Sequence, residues 1–297
     1  MRDALRERLG RVGVWSAAPV AQPVRQIREG IAQVEALGFR SVWYPEGWSS
    51  ETFTTASLLL ASTERMAVCT GIANIYARDA TAMVGAAQLL GEAYPGRFVL
   101  GIGVSHKPPV EERGHEYLAP VPTMRAYLDA MDKAPQRSPG PAEPVPLLLA
   151  ALGPLMMKLA AERTAGAHPY YVPVEHTAIA REQLGPAAFL APEVAVLLAS
   201  DFSEARERAA PYVSFYLGAD NYRNNLLRLG FSEEDLADGG SNRLFEAVVA
   251  CGDVDAIRKR VQEHLDAGAD HVCIQIVPSG DFYIEQLREL APALLEL

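Results

Sequence analysis

The sequence predicts an α/β protein, a (β/α)8 TIM barrel with a helical insertion near the seventh strand. Three observations predict it. Eight β-rich apolar runs alternate with helical patterns along the chain. The runs lack strict two-residue alternation, as expected for parallel strands covered on both faces. The length of 297 residues suits a single barrel domain spanning 1–297. A doubly wound sheet is the other arrangement of the same units.

Each element follows in order. "RVGVWS" (11–16) reads as the first strand. Ile27, Ile31, Val34 and Leu37 then recur at helical spacing, with Gly38 at the stop. "RSVWYPE" (40–46) is the second strand and "AVCTGIAN" (67–74) the third. "ATAMVGAAQLLGEA" (80–93) is helical and stops at Pro95-Gly96, and "RFVLGIG" (97–103) is the fourth strand. A helix near 121–133 and a Pro-rich loop (134–144) lead to the fifth strand, "VPLLLAA" (145–151). Gly153-Pro154 opens a helix whose buried face takes Leu155 and Leu159, with Gly166 beyond its end. "AHPYYVP" (167–173) and "EVAVLLAS" (193–200) are strands six and seven. Helices fill an insertion at about 203–246. The helix 253–268 carries Ile257, Val261 and Leu265 on one face, "DHVCIQIV" (270–277) is the eighth strand, and an amphipathic helix covers 281–296.

Composition narrows the partners. The net charge of −10 argues against nucleic acid or an anionic membrane as a main partner. No run of about 20 apolar residues suggests a membrane span. The start, "MRDALRERLGRVGVW", lacks a signal-peptide core, so a cytoplasmic location is expected. Cys69, Cys251 and Cys273 form no CxxC pair, and no HExxH or Cys/His cluster marks a metal site.

In a barrel the site lies at the C-terminal strand ends. "VLGIGVSH" (99–106) ends such a strand. It fails the dinucleotide fingerprint, because His106 stands where the third glycine belongs. It also lacks the last glycine of a nucleophile elbow. What remains is a strand end whose glycines let something large and flat approach, with Ser105 and His106 at its rim. His106 can be a general acid or base, or only a loop residue. Glu46 can accept a proton, or cap its loop. Trp43, Tyr44 and Trp48 can wall an aromatic pocket, with core packing the other account of Trp43. Gly71 inside the third run suggests a bulge, followed by Asn74, Tyr76 and Arg78. "AALGP" (150–154) puts free N–H groups and a helix dipole at an anion site, to which Arg78, Lys107 and Lys158 can add positive charge.

Several stretches carry a resemblance: "SVWYPEGW", "VCTGIANIYARDATAMVGAAQLL", "RFVLGIGVSH", "LLLAALGPLMMKLAAERTAGAHPYYVP" and "YLGADNYRNNLLRLGF". Together they resemble the bacterial-luciferase-like flavin and deazaflavin oxidoreductases, and among them the branch that uses coenzyme F420. The resemblance runs from about residue 11 to 295. It implies a (β/α)8 barrel with F420 (alternatively FMN) across the strand ends. It also implies a non-proline cis peptide matching Gly71-Ile72, and phosphate contacts matching Ala150, Ala151 and Gly153. Trp43, Asn74, Ser105, Lys158 and Tyr170 complete the cofactor contacts it suggests. Relatives acting on sugar phosphates carry acid/base groups at positions matching Ala17, Glu46 and His106. Ala17 has no acid chemistry, and Gly47 stands where some relatives have histidine. The expected activity is hydride transfer to or from a small organic substrate, with Glu46 or His106 moving the proton. An FMN-dependent monooxygenase and a non-catalytic flavin-binding barrel are the alternatives. A homodimer is expected.

Overall fold

The computed structural model describes every residue except 48, 49, 136 and 138. Its strands are β1 (Val12–Trp15), β2 (Ser41–Tyr44), β3 (Ala67–Thr70), β4 (Ala73–Asn74), β5 (Phe98–Gly103), β6 (Leu147–Leu149), β7 (Gly166–Ala167), β8 (Phe189–Leu190), β9 (Glu193–Leu198), β10 (Val249–Gly252) and β11 (Val272–Ile276). They form one sheet in the order β10-β9-β11-β1-β2-β3-β5-β6-β7-β8, with β4 on β5. All pairings are parallel, and Trp15, Trp43 and Cys69 share one register row. "VGVW", "SVWY" and "AVCT" bury every residue, which explains their unalternating apolar pattern.

The sheet curls. β8 and β9 are separated only by Ala191-Pro192, and the N–H groups of Asp270 (2.8 Å) and Cys273 (2.9 Å) donate to the carbonyls of Leu190 and Pro192. The run before and along β11 therefore flanks the stretch that ends the path at β8. Inside the curl, Leu5 and Leu9 of the helix Arg2–Leu9 pack with Trp15, Trp43, Cys69, Val99, Leu148, Phe189 and Cys273. Outside it, helices present their apolar stripes. The helix Val24–Ala36 buries Ile27, Ile31 and Val34, each contributing roughly 2 kcal/mol of transfer free energy. Asp79 and Asp253 cap the helices Ala80–Ala93 and Val254–Asp266 through the N–H groups of Ala82 and Ala256.

Four helices, Phe202–Leu217, Asp220–Arg228, Glu233–Leu236 and Asn242–Val248, lie between β9 and β10. Their apolar side chains, Tyr212, Leu217, Tyr222, Leu226 and Phe245 among them, pack with Tyr171, Ala195 and Leu197.

The structure departs from the sequence reading in three places. The sixth run shortens to Gly166–Ala167, since Pro169 and Pro173 have no N–H for a ladder. Val249–Gly252 adds a strand in the stretch that the reading left unassigned between its insertion and the helix 253–268. Leu155 is 68% exposed, while Met156 and Met157 are buried. It stands in the first turn of its helix, past the end of β6. Among the described residues, no helix is long and apolar enough to cross a membrane.

Candidate active site

The glycines of "VLGIGVSH" have a definite task. β3 ends at Thr70, and the next peptide, Gly71-Ile72, is cis. This is the position the resemblance marks. The chain bulges there toward β5. A Cβ on Gly101 would lie 2.1 Å from the Thr70 carbonyl oxygen, and one on Gly103 would lie 2.8 Å from Ile72 Cγ1. What approaches the glycines is the neighbouring bulge, not a flat ligand, which corrects the reading of that motif. Thr70 Oγ1 donates to the Gly101 carbonyl and accepts from the Gly101 N–H, both at 2.8 Å.

Gly71 faces two polar atoms from the barrel side. A Cβ there would lie 2.9 Å from Trp15 Nε1 and 3.0 Å from His168 Nε2. Both atoms are buried and unpartnered. His168 Nδ1 donates to the Ala191 carbonyl at 2.7 Å, so Nε2 carries the lone pair. Burial pushes the His168 pKa down to about 4, which keeps the ring neutral.

Glu46 is fully engaged. Its carboxylate takes both ends of the Arg78 guanidinium, through a close Nη2–Oε1 contact and an Nη1–Oε2 bond of 2.9 Å, and accepts the Asn74 N–H at 2.7 Å. The Asn74 side chain folds back onto its own loop, accepting from the Tyr76 N–H at 2.9 Å. Arg78, a candidate anion partner in the sequence, is thus committed to stitching the end of β2 to the β3–β4 bulge.

His106 is half-buried. Its Nδ1 donates to Asn221 Oδ1 at 3.2 Å, and its ring lies 5.5 Å from that of Tyr222. Burial lowers its pKa below the usual histidine value, opposed in part by the Asn221 contact. The ring is therefore neutral near pH 7, with Nε2 free to accept a proton. Ser105 sits before it at φ 58°, and the Ser105 carbonyl accepts from Tyr117. Tyr170 reaches the same face. It donates to Gln275 Oε1 at 2.5 Å, accepts from the Tyr216 hydroxyl at 2.8 Å, and packs 5.1 Å from Trp15.

The anion-type helix start is present too. Gly153 caps the helix Pro154–Arg163 in extended conformation, two residues after Ala151. Lys158 points to solvent and pairs loosely with Glu162 at 3.8 Å, so it adds little to that start. A cation that sequence reasoning missed does stand there. A Cβ on Gly153 would lie 3.4 Å from Arg228 Nη2.

Trp43 corrects its pocket-wall reading. It is wholly buried inside the curl, stacks on His168 at 4.6 Å, and donates Nε1–H to His271 Nε2 at 3.1 Å. This is the core-packing account. Trp48 lies outside the described residues. The strand-end face thus brings together Gly71, Ile72, Ser105, His106, Ala150, Ala151, Gly153 and Tyr170, while Glu46 and Asn74 brace one side of it. Asn221, Tyr216, Gln275 and Arg228 were missed. Asn225 and Arg228 do share a helical face at i,i+3 spacing in "YRNNLLR", which was the available signal.

A curled parallel sheet with a bulge, a helix start and a neutral histidine at one end defines an α/β protein with a candidate site at the strand ends. The chain belongs to the luciferase-like monooxygenase family, whose sequence profile matches residues 9–271. It is 27% identical to a Mycobacterium tuberculosis protein named as a coenzyme F420-dependent oxidoreductase, over 94% of this chain and 96% of that one. In fold it is similar to the coenzyme F420-dependent tetrahydromethanopterin reductase of Methanopyrus kandleri, with TM-score 0.73 and 17% identity over 95% and 99% of the two chains. It is likewise similar to an F420-dependent secondary alcohol dehydrogenase solved with an F420–acetone adduct, with TM-score 0.73 and 16% identity over 96% and 98%.

Proposed function

We propose that this chain is a coenzyme F420-dependent oxidoreductase acting on a small organic substrate. In this reading the curled sheet is one (β/α)8 barrel domain, and the four helices at 202–248 are its insertion. The observation that carries the proposal is a single strand-end face holding both an anion-binding helix start and a neutral histidine. The family and the F420-dependent relatives support it.

The residues present fit the cofactor. The N–H groups of Gly153, Leu155 and Met156 have no helical carbonyl before them and suit a phosphate, as Ala150 and Ala151 leave space beside them. Trp15 Nε1–H and His168 Nε2, both unpartnered, offer a donor and an acceptor beside the Gly71-Ile72 bulge. When bound, the deazaflavin supplies hydride transfer at its C5. The protein supplies position and a proton route. His106 Nε2 takes the proton from a substrate hydroxyl during oxidation and returns it during reduction, while Asn221 fixes the ring through Nδ1. Glu46, tied to Arg78, holds the bulge in place.

Fluorescence titration with F420 and with FMN tests the reading, and F420 is expected to bind more tightly. Equal or reversed affinity counts against it, and oxygen uptake with added reduced FMN would favour the FMN-dependent monooxygenase. Tight F420 binding with no turnover of any donor or acceptor would favour a carrier barrel. We further propose a cytoplasmic homodimer, for which light scattering at micromolar concentration should give twice the monomer mass.

A further inference from the structure

We infer that Arg228 reads the phosphate of the bound cofactor and so sets the helix Asp220–Arg228 over the site; this rests on the F420 reading above. Three observations lead there.

First, the Arg228 guanidinium lies against the cap of another helix. Gly153 is the cap, and its built Cβ would be 3.4 Å from Nη2 and 3.8 Å from Cζ. Among the described residues, no carboxylate lies within 4.0 Å of Arg228, although the chain carries a net charge of −10. A helix N-terminus carries about half a positive charge. A guanidinium beside it adds to that positive field; Arg228 is exposed, so solvent screens the repulsion, and the pair together suits an anion. Arg228 does sit in the last turn of its own helix, where a cation is favoured. That accounts for its place on the helix, not for its facing Gly153.

Second, Asn225 is 2% exposed and its Oδ1 accepts from Arg228 Nη2 at 3.1 Å. Its Nδ2, at the same end of the side chain, is buried without a partner. A buried amide N–H left unpaired is costly. Guanidinium, amide and helix start are all donors, and the group that would satisfy them is an acceptor bearing negative charge.

Third, the same helix reaches His106. Asn221, in its first turn, holds His106 Nδ1 at 3.2 Å, and Tyr222 packs on the ring. The helix has nine residues, roughly 13 Å of rise. An anion at Gly153 thus fixes one end of an element whose other end positions the histidine. Arg228 is a positioning residue toward His106 and a binding residue toward phosphate.

The test uses full-length wild type, Arg228→Gln, Arg228→Lys and the control Arg65→Gln, an exposed arginine just ahead of β3 at the opposite end of the strands. Inorganic phosphate should raise the melting temperature of unloaded wild type and of Arg65→Gln, but not of Arg228→Gln. The F420 and FMN dissociation constants should rise ~10–100-fold in Arg228→Gln, as loss of a charged hydrogen bond implies. Binding of riboflavin, which lacks the phosphate, should be unchanged. Arg228→Lys, which keeps the charge and loses the fork, should fall between, and it carries the test if the glutamine variant does not fold. Phosphate should also shift the His106 ring NMR signals in wild type and leave them still in Arg228→Gln. An equal phosphate response in wild type and Arg228→Gln, or unchanged F420 affinity, overturns the inference. So do unmoved His106 signals in wild type under saturating phosphate. If wild type binds neither F420 nor FMN, the functional reading itself falls and takes this inference with it.

Discussion

At His106 the Nδ1 contact to Asn221 Oδ1 leaves Nε2 as the free ring nitrogen, and burial keeps the ring neutral. At Glu46 every carboxylate oxygen is held by Arg78 or the Asn74 N–H. Two residues that the sequence offered as equal candidates therefore have different chemistry. We expect His106→Ala to lower kcat ~10²-fold while F420 affinity stays within a few-fold. As a base His106 must be neutral, so kcat should fall as pH drops through a pKa below 6.5. That acid limb should vanish in the variant; a kcat unchanged by the substitution sinks the assignment. Glu46→Gln should instead lose stability, about 2 kcal/mol in urea unfolding, because Arg78 loses its two-point carboxylate partner and keeps only Glu51 at 3.1 Å. Its pH–rate limb should persist. The sequence showed both residues but not their partners. Arg78 lies 32 positions from Glu46, and Asn221 lies 115 from His106. Only the folded chain sets such pairs side by side.

β3, the bulge and β5 form one packed unit. Period and composition were enough to place the strands, and a glycine inside an apolar run was enough to suspect the bulge. The purpose of Gly101 and Gly103 was not legible, because it depends on what the adjacent strand places against them. The structure ranks the two. A Cβ at Gly101 meets a backbone oxygen at 2.1 Å, whereas one at Gly103 meets the Ile72 side chain at 2.8 Å and Ala150 Cβ at 3.1 Å. Backbone has little freedom to yield, and a side chain has more. Gly101→Ala should therefore cost more than ~3 kcal/mol or fail to fold, and Gly103→Ala about 1–3 kcal/mol. Adding Ile72→Ala to Gly103→Ala should recover part of that loss, and should recover nothing for Gly101→Ala. Urea unfolding of the four variants measures this, and equal costs at the two glycines would refute the ranking. The missed strand at 249–252 has a similar origin. It pairs only with β9, which the helical stretch before it separates in sequence.

For the whole molecule, alternating runs were enough to predict a parallel α/β fold, because β1, β2, β3 and β5 are buried on both faces. How the helices at 202–248 dock was not legible, since it rests on a buried polar centre. Glu193 opens β9, is 1% exposed, and accepts from the Tyr171 N–H at 3.0 Å and the Tyr212 hydroxyl at 3.2 Å. Tyr212 belongs to the first docking helix. Tyr170, Tyr216 and Cys273 also surround the carboxyl and bring no positive charge. Burial pushes the Glu193 pKa up to about 8. The sign follows from linkage. An unfolded chain releases this proton near the ordinary glutamate value, while the folded protein keeps it until about pH 8. Stability from Glu193 is thus full at low pH and declines as pH rises toward 8. The buried histidines act in the opposite sense. His168 and His271 are pushed down to about 4 and His264 to about 3, so they destabilise the fold as pH falls through the ordinary histidine value of 6.5. At pH 6.5 the unfolded histidines are still half protonated, so their contribution opposes that of Glu193 and fades only above about pH 7.5. Above that point Glu193 dominates the slope, at roughly 1 kcal/mol per pH unit and falling. The histidine contribution is common to both proteins, so relative to Glu193→Gln, neutral at every pH, wild type should lose about 2 kcal/mol between pH 6.5 and 8, seen as a widening gap in melting temperature. Parallel curves for the two proteins would mean that the carboxyl is ionised in the fold and that the docking of the helices at 202–248 does not depend on a protonated Glu193.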